Sequence, residues 1–141
     1  MTTRPSGVGT ITSAVIAHLQ QDVALLALVP ASRIANEIPS GTARPYVVVD
    51  VETETDDDTT GLGGVDAVVS ATVVSDYRGS YEIGQIASAI RAALDARALS
   101  VEGFSGGLAD VTYEQGLGEI REDVAGVQVR RRPLWFRVRA L

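Results

Sequence analysis

"VVSDYRGSYEIGQIASAIRAAL", residues 73–94, decides the fold. An alternating apolar run stops at Asp76-Tyr77-Arg78-Gly79, and a helical pattern begins at once. Ile83, Ile86, Ala87, Ile90 and Leu94 recur at the period of one apolar helix stripe. Ser80 stands where a helix cap belongs, with Glu82 in the first turn and Arg91 and Arg97 late, charges that suit the helix dipole. The turn lays this helix back over the strand before it, so its stripe requires a sheet to bury against.

The sheet is written on both sides of that stretch. In "YVVVDVETETD", residues 46–56, Val47, Val49, Val51 and Thr53 take one face and Asp50, Glu52, Glu54 and Asp56 the other, the period of a half-buried strand. The acidic, glycine-rich residues 57–65 are expected to be a flexible hairpin loop, and "AVVSATVVSDY" (67–77) returns as its partner strand. Downstream, "LADVTYEQGLGEI" (108–120) reads as a third strand and "GVQVRRRPLWFRVRAL" (126–141) as a fourth. In the fourth, Val127 and Val129 are out of phase with Leu134, Phe136 and Val138, so a bulge is expected at Arg131 to Pro133, where proline also lacks a ladder donor. With it, Gln128, Arg130, Trp135, Arg137 and Arg139 would share the outer face.

Upstream, residues 1–9 carry Pro5, Gly7 and Gly9 and read as a flexible arm, with Thr10 capping a helix that includes Ile11, Val15, His18 and Leu19. Asp22 caps a second short helix before Pro30, and residues 31–45 connect to the first strand with a short extended piece near Arg33 to Ala35. The expected architecture is one α+β domain spanning residues 1–141. Its order is helix, helix, strand, strand, helix, strand, strand, in a mostly antiparallel four-stranded sheet with helices on one face.

Composition bounds the function. Hydrophobic residues make up 45% and charged residues 21% of the 141, values of a folded chain. There is no cysteine, so thiolate chemistry and disulfides are excluded, and His18 is the only histidine. All twelve basic residues are arginine, and the net charge of −6 argues against a protein whose task is gripping nucleic acid. No apolar run approaches the roughly 20 residues of a membrane span, and the start lacks the layout of a secretory signal, so synthesis in a cytoplasm is expected.

No constellation carries catalysis, a cofactor or a metal. His18 and Asp22 are four apart, but nothing completes a pair, and a structural histidine beside a helix cap is expected. Glu52, Glu54, Asp56, Asp57 and Asp58 form an acidic run open to three readings. It is a solvated loop, a lumen or partner-facing wall that repels phosphate, or a weak cation site lacking the spacing of a calcium loop. Arg130, Arg131, Arg132, Trp135, Arg137 and Arg139 are candidates for a subunit or tube interface, as are Tyr77 and Arg78. Cross-strand pairing with Glu114, Glu119 and Glu122 is the structural alternative.

The ordered set "HLQQDVALLALVPASRI" (18–34), "RPYVVVDVETETD" (44–56), "VVSDYRGSYEIGQIASAIRAAL" and "LWFRVRAL" (134–141) resembles the tail terminator, or tail completion, proteins of long-tailed bacteriophages and gene transfer agents. The resemblance covers residues 16–141. It implies a non-enzymatic ring of six copies at the head-proximal end of a virion tail, made in the bacterial host cytoplasm. That ring caps the tail tube protein and joins the head-side connector or stopper protein, and DNA passes through without specific binding. Another head-tail connector or minor tail protein is the alternative within the same particle. A small cation-binding or ligand-binding module, or an enzyme using the acidic loop, is the alternative of another class. The longer 98–110 connector and "RRRP" (130–133) depart from the family's usual pattern.

Overall fold

A computed structural model describes residues 7–57, 64–100 and 108–140. The elements run α1 (Gly7–Leu19), α2 (Val23–Leu26), a 3-10 turn (Ala31–Arg33), β1 (Ile34–Ala35), β2 (Tyr46–Asp57), β3 (Gly64–Ser75), α3 (Tyr81–Leu94), β4 (Arg97–Ser100), β5 (Leu108–Gly116), β6 (Ile120–Val124) and β7 (Val127–Ala140). The α+β class is as expected, but the sheet is not four-stranded. Among the described residues it has seven strands in the order β1-β2-β3-β7-β5-β4, with β6 also on β7. Every ladder is antiparallel except β1 with β2.

The extra strands come from segments too short or too exposed to show a period. β1 and β4 hold two and four residues. The expected third strand is two strands lying end to end along β7, broken at Leu117–Glu119, and every residue of β6 is exposed, so it shows no apolar alternation. α1 begins at Gly7, earlier than the arm over 1–9 and the Thr10 cap would have it. A helix buried from Ile11 onward gains by extending upstream, because each preceding residue supplies a carbonyl for an amide four residues later. Of the expected loop over 57–65, Asp57, Gly64 and Val65 instead pair in the β2–β3 ladder, which runs longer than the glycines and acids suggest; residues 58–63, and the rest of the expected arm, lie outside the described residues.

α1 and α3 pack on one face of the sheet. α1 touches β1 and β2 near one edge and β4 at the other, so the sheet curls around the helices. The core they enclose joins Ile11, Val15 and Leu19 of α1 and Ile83, Ile86, Ile90 and Leu94 of α3 to Val47, Val49, Val69, Val73, Val111, Leu134, Phe136 and Val138 of the sheet. The α3 stripe is the one its spacing predicts. Ser80 occupies the N-cap position, yet its side chain makes no cap hydrogen bond. Its backbone sits at φ −97°, ψ 0°, outside the extended region that aims a cap oxygen at the first turn. The first turn is anchored instead by Glu82, whose Oε1 accepts from the Ser75 hydroxyl at 2.8 Å, while that hydroxyl oxygen accepts from the Tyr77 amide at 3.1 Å. Gly79, at φ +87°, makes the reversal between them.

β7 contains no bulge. Its register against β3 runs unbroken from Val65↔Ala140 to Ser75↔Arg130. Pro133 is accommodated differently. Its carbonyl accepts from the Leu117 amide, so its amide nitrogen faces the same side, where β5 ends opposite Leu134 and β6 starts opposite Arg131. The missing donor therefore falls in the gap between two strands, where no ladder bond is lost. The register shifts lie in the neighbours, at Glu52 in β2 and Glu114 in β5. The first of these sets Thr53 opposite Val68, on the face away from the core, so the strict alternation expected through Thr53 stops at Val51.

Candidate functional site

Because β7 keeps its phase, the arginine set divides. Arg130 and Arg132 share the helix-side face with Leu134, Phe136 and Val138, whereas Arg131, Trp135, Arg137 and Arg139 share the outer face. The expectation that Arg130 lies with Trp135 on the outside is thus corrected, and the reason is the absent bulge. Val129, on the outer face, is buried there because the connector carrying Ile38 to Arg44 folds over the base of β7, forming a cleft that Val129 and Arg131 also line.

On the outer face, Asp66 receives two arginines, Arg137 through Nε at 3.1 Å and Arg139 through Nε at 3.5 Å. Half-buried Trp135 stands between Ser70 of β3 and Gln115 of β5. Arg131 pairs with Glu122 across the β6–β7 ladder. Such exposed pairs each contribute little, on the order of 0.2–1 kcal/mol. They fix Arg131, Arg137 and Arg139 on the face that carries Trp135, a surface rich in the residue types that dominate protein contacts. Of the acids expected to pair with this tail, Glu119 and Glu122 do so. Asp66 stands where Glu114 was expected, because Glu114 is the bulged residue of β5.

The buried member of the set is Arg130. Its Nη1 donates to Glu119 Oε2 at 2.7 Å, and the two side chains are 10% and 13% exposed. The Glu119 carboxyl is held below the usual carboxylate range, first by the neighbouring Ser80 hydroxyl and then by Arg130 and Arg121, against the opposing effect of burial. This cluster ties the start of β6 to the start of α3.

Past it, β6 and β7 continue beyond the end of β3 as a two-stranded arm, since the β3 ladder stops at Arg130 while the β6 ladder runs on through Val129, Gln128 and Val127. Those three further pairs carry the arm about 10 Å past the end of β3, with the Ile38–Arg44 connector beside its outer face. Its tip is a two-residue turn with both residues left-handed, Ala125 at φ +51° and Gly126 at φ +84°, the twist that suits a hairpin. The sequence reading missed this arm. The signal was Val124-Ala125-Gly126-Val127, a small-residue pair between two β-branched residues, but alanine in place of the usual asparagine or aspartate hid it. Ala125→Asn is expected to stabilise the fold by up to about 1 kcal/mol, the scale of a side chain's left-handed penalty. A rise in the urea midpoint with an unchanged slope would show it.

The remaining candidates are scattered. Tyr77 and Arg78 are exposed on the turn before α3, and neighbouring Asp76 faces Arg44 at 3.6 Å. Glu52 is exposed at its bulge. Glu54, Asp56 and Asp57 continue β2 opposite Ala67, Val65 and Gly64; their side chains, and Asp58 altogether, lie outside the described residues. His18 donates Nε2–H to the Ala93 carbonyl at 2.7 Å, and Asp22 caps α2 by accepting from the Leu25 amide at 2.9 Å. Both are structural. Among the described residues no group of three histidine or acidic side chains is arranged to hold a metal ion.

Comparison with known proteins gives the family. The family model described as tail completion protein gp17 matches residues 13–140. Among solved structures, a chain from the virion of a native gene transfer agent particle superposes with a TM-score of 0.76 at 26% identity, over 94% of this chain and 95% of that one. No curated protein sequence matches. A match across nearly the whole chain, on the fold just described, places the chain in the gp17 family of tail completion proteins, the tail components of virions.

Proposed function

We propose that the protein is a non-enzymatic tail terminator. In this reading six copies form a ring that caps the tail tube at its head-proximal end, stops tube growth and joins the head-side connector, with DNA passing through the centre. The carrying observation is the family match over residues 13–140, supported by the whole-chain likeness to a virion chain. The outer face with Trp135, Arg131, Arg137 and Arg139, and the exposed Tyr77 and Arg78, supply contact surfaces for a neighbour or for the tube. The acidic residues Glu52, Glu54, Asp56, Asp57 and Asp58 are assigned to the lumen or to a partner. A wall of like charge keeps phosphate from adhering as DNA slides past, and the net charge of −6 fits that task.

The test is native mass, measured for the chain alone and mixed with its tail tube protein. A ring of six copies in either state is the expected result. A strict monomer in both would remove the reading.

A further inference from the structure

A groove of about 650 Å³ opens between α2 and α3, lined by Ala24, Ala27, Leu28, Gly84 and Ser88 together with Arg132 of β7. Gly84 leaves it open, because a Cβ there would meet nothing within 4 Å. Arg132, placed on this side by the unbroken phase of β7, has no acidic partner among the described residues, and its Nε is buried without a hydrogen bond. The groove thus has an apolar α2 wall, an α3 wall that also carries Ser80, Gln85 and Ser88, and one unanswered cation.

The arm has the complementary character. Ile120, Val124 and Val127 are 47%, 37% and 42% exposed, high for β-branched side chains on one face of a strand pair, although Val124 also borders the cleft beneath the Ile38–Arg44 connector. Glu119 and Glu122 are neutralised by Arg130 and Arg131, whereas Asp123 has no basic partner among the described residues. Val124 pairs with Val127 on the outer face of the ladder, whereas α2, α3 and Arg132 lie on the other side of the sheet, so these side chains face away from the groove of their own chain.

We infer that the tip of the arm, Glu122 to Gln128, seats in the α2–α3 groove of a second copy of this chain. Val124 and Val127, on one face of the ribbon, cover Ala24, Ala27 and Leu28 of the α2 wall, and Asp123, on the other face, approaches Arg132 across the groove. The inference rests on the ring reading and specifies its contact. Donor and acceptor are different patches of one surface, so the contact is head to tail, the kind that closes into a ring with every groove filled. A second copy is favoured over the tube protein because each chain carries one arm and one groove of matching charge.

The native chain has no cysteine, so the contact can be trapped cleanly. The full chain carrying Val124→Cys and Ser88→Cys is oxidised with tail tube protein present. A covalent ladder of successive multiples of the chain is expected from the double variant, and none from either single variant. Separately, Gly84→Leu, and Val124→Asp with Val127→Asp, should each raise the concentration for half-assembly at least tenfold while circular dichroism and the unfolding midpoint stay near wild type. These sites are open or exposed, so folding is retained. A ring that forms normally in all variants and gives no ladder overturns this contact and leaves the ring reading standing. Efficient dimers from Val124→Cys alone would show arm-to-arm pairing and overturn it too. A wild-type monomer with and without tube protein overturns both.

Discussion

Arg130→Met is expected to cost about 3 kcal/mol of unfolding free energy, the low end of the loss from removing one partner of a buried ion pair, because Arg121 remains 3.6 Å from Glu119. The loss arises mainly from what is left behind. Glu119 would stay buried with one oxygen, Oε1, already lacking a close hydrogen-bond partner. The double variant Arg130→Met with Glu119→Leu should recover most of the loss, since an apolar pair of similar volume removes the stranded charge. Urea unfolding of the four proteins of this cycle measures it, and a double variant as unstable as Arg130→Met would contradict the argument.

The same pair sets a pH dependence. The Glu119 carboxyl is lowered in the folded chain, so its contribution is fully present above the unfolded glutamate value of about 4.3. It is lost as pH falls through the folded value, because the unfolded state then binds the proton first. Glu119→Gln should therefore flatten the acid limb of the stability curve below about pH 4.3 and leave its shape above that unchanged. An acid limb identical to wild type would assign the dependence to other carboxylates.

Phe136→Ala is the other large effect, expected to cost about 3–5 kcal/mol. Phe136 is fully buried at the middle of β7, meets Tyr113 edge to face with ring centroids 5.6 Å apart, and lies opposite Val69 of β3. Strands hydrogen-bonded on both sides of β7 and helices above it prevent collapse of the space left behind. Tyr113 is itself pinned: its amide donates to Asp95 Oδ1 at 2.8 Å, and the Arg91 guanidinium stacks over its ring at 3.9 Å. Tyr113 therefore cannot swing in to fill the cavity. Phe136→Leu, which retains most of the volume, should cost less than half as much by thermal or urea unfolding; equal losses would place Phe136 outside the tightly packed core.

Features with a local period were legible from the chain alone. The α3 stripe from Ile83 to Leu94, the Val47 and Val49 face, the Asp22 cap and the structural role of His18 each depend on residues within a turn or a strand of one another. The family resemblance was legible for the same reason, since it rests on the order of such local words. What the chain could not disclose was the phase of its last strand. Val129 and Leu134 demand a bulge only if burial means facing the helices, yet Val129 is buried from the other side by the Ile38–Arg44 connector, far earlier in the chain. Which face of a strand is covered, whether Pro133 loses a ladder bond, and where Arg130 and Arg132 point are settled by the strands on either side. Those partners are distant in sequence, and only tertiary packing brings them together.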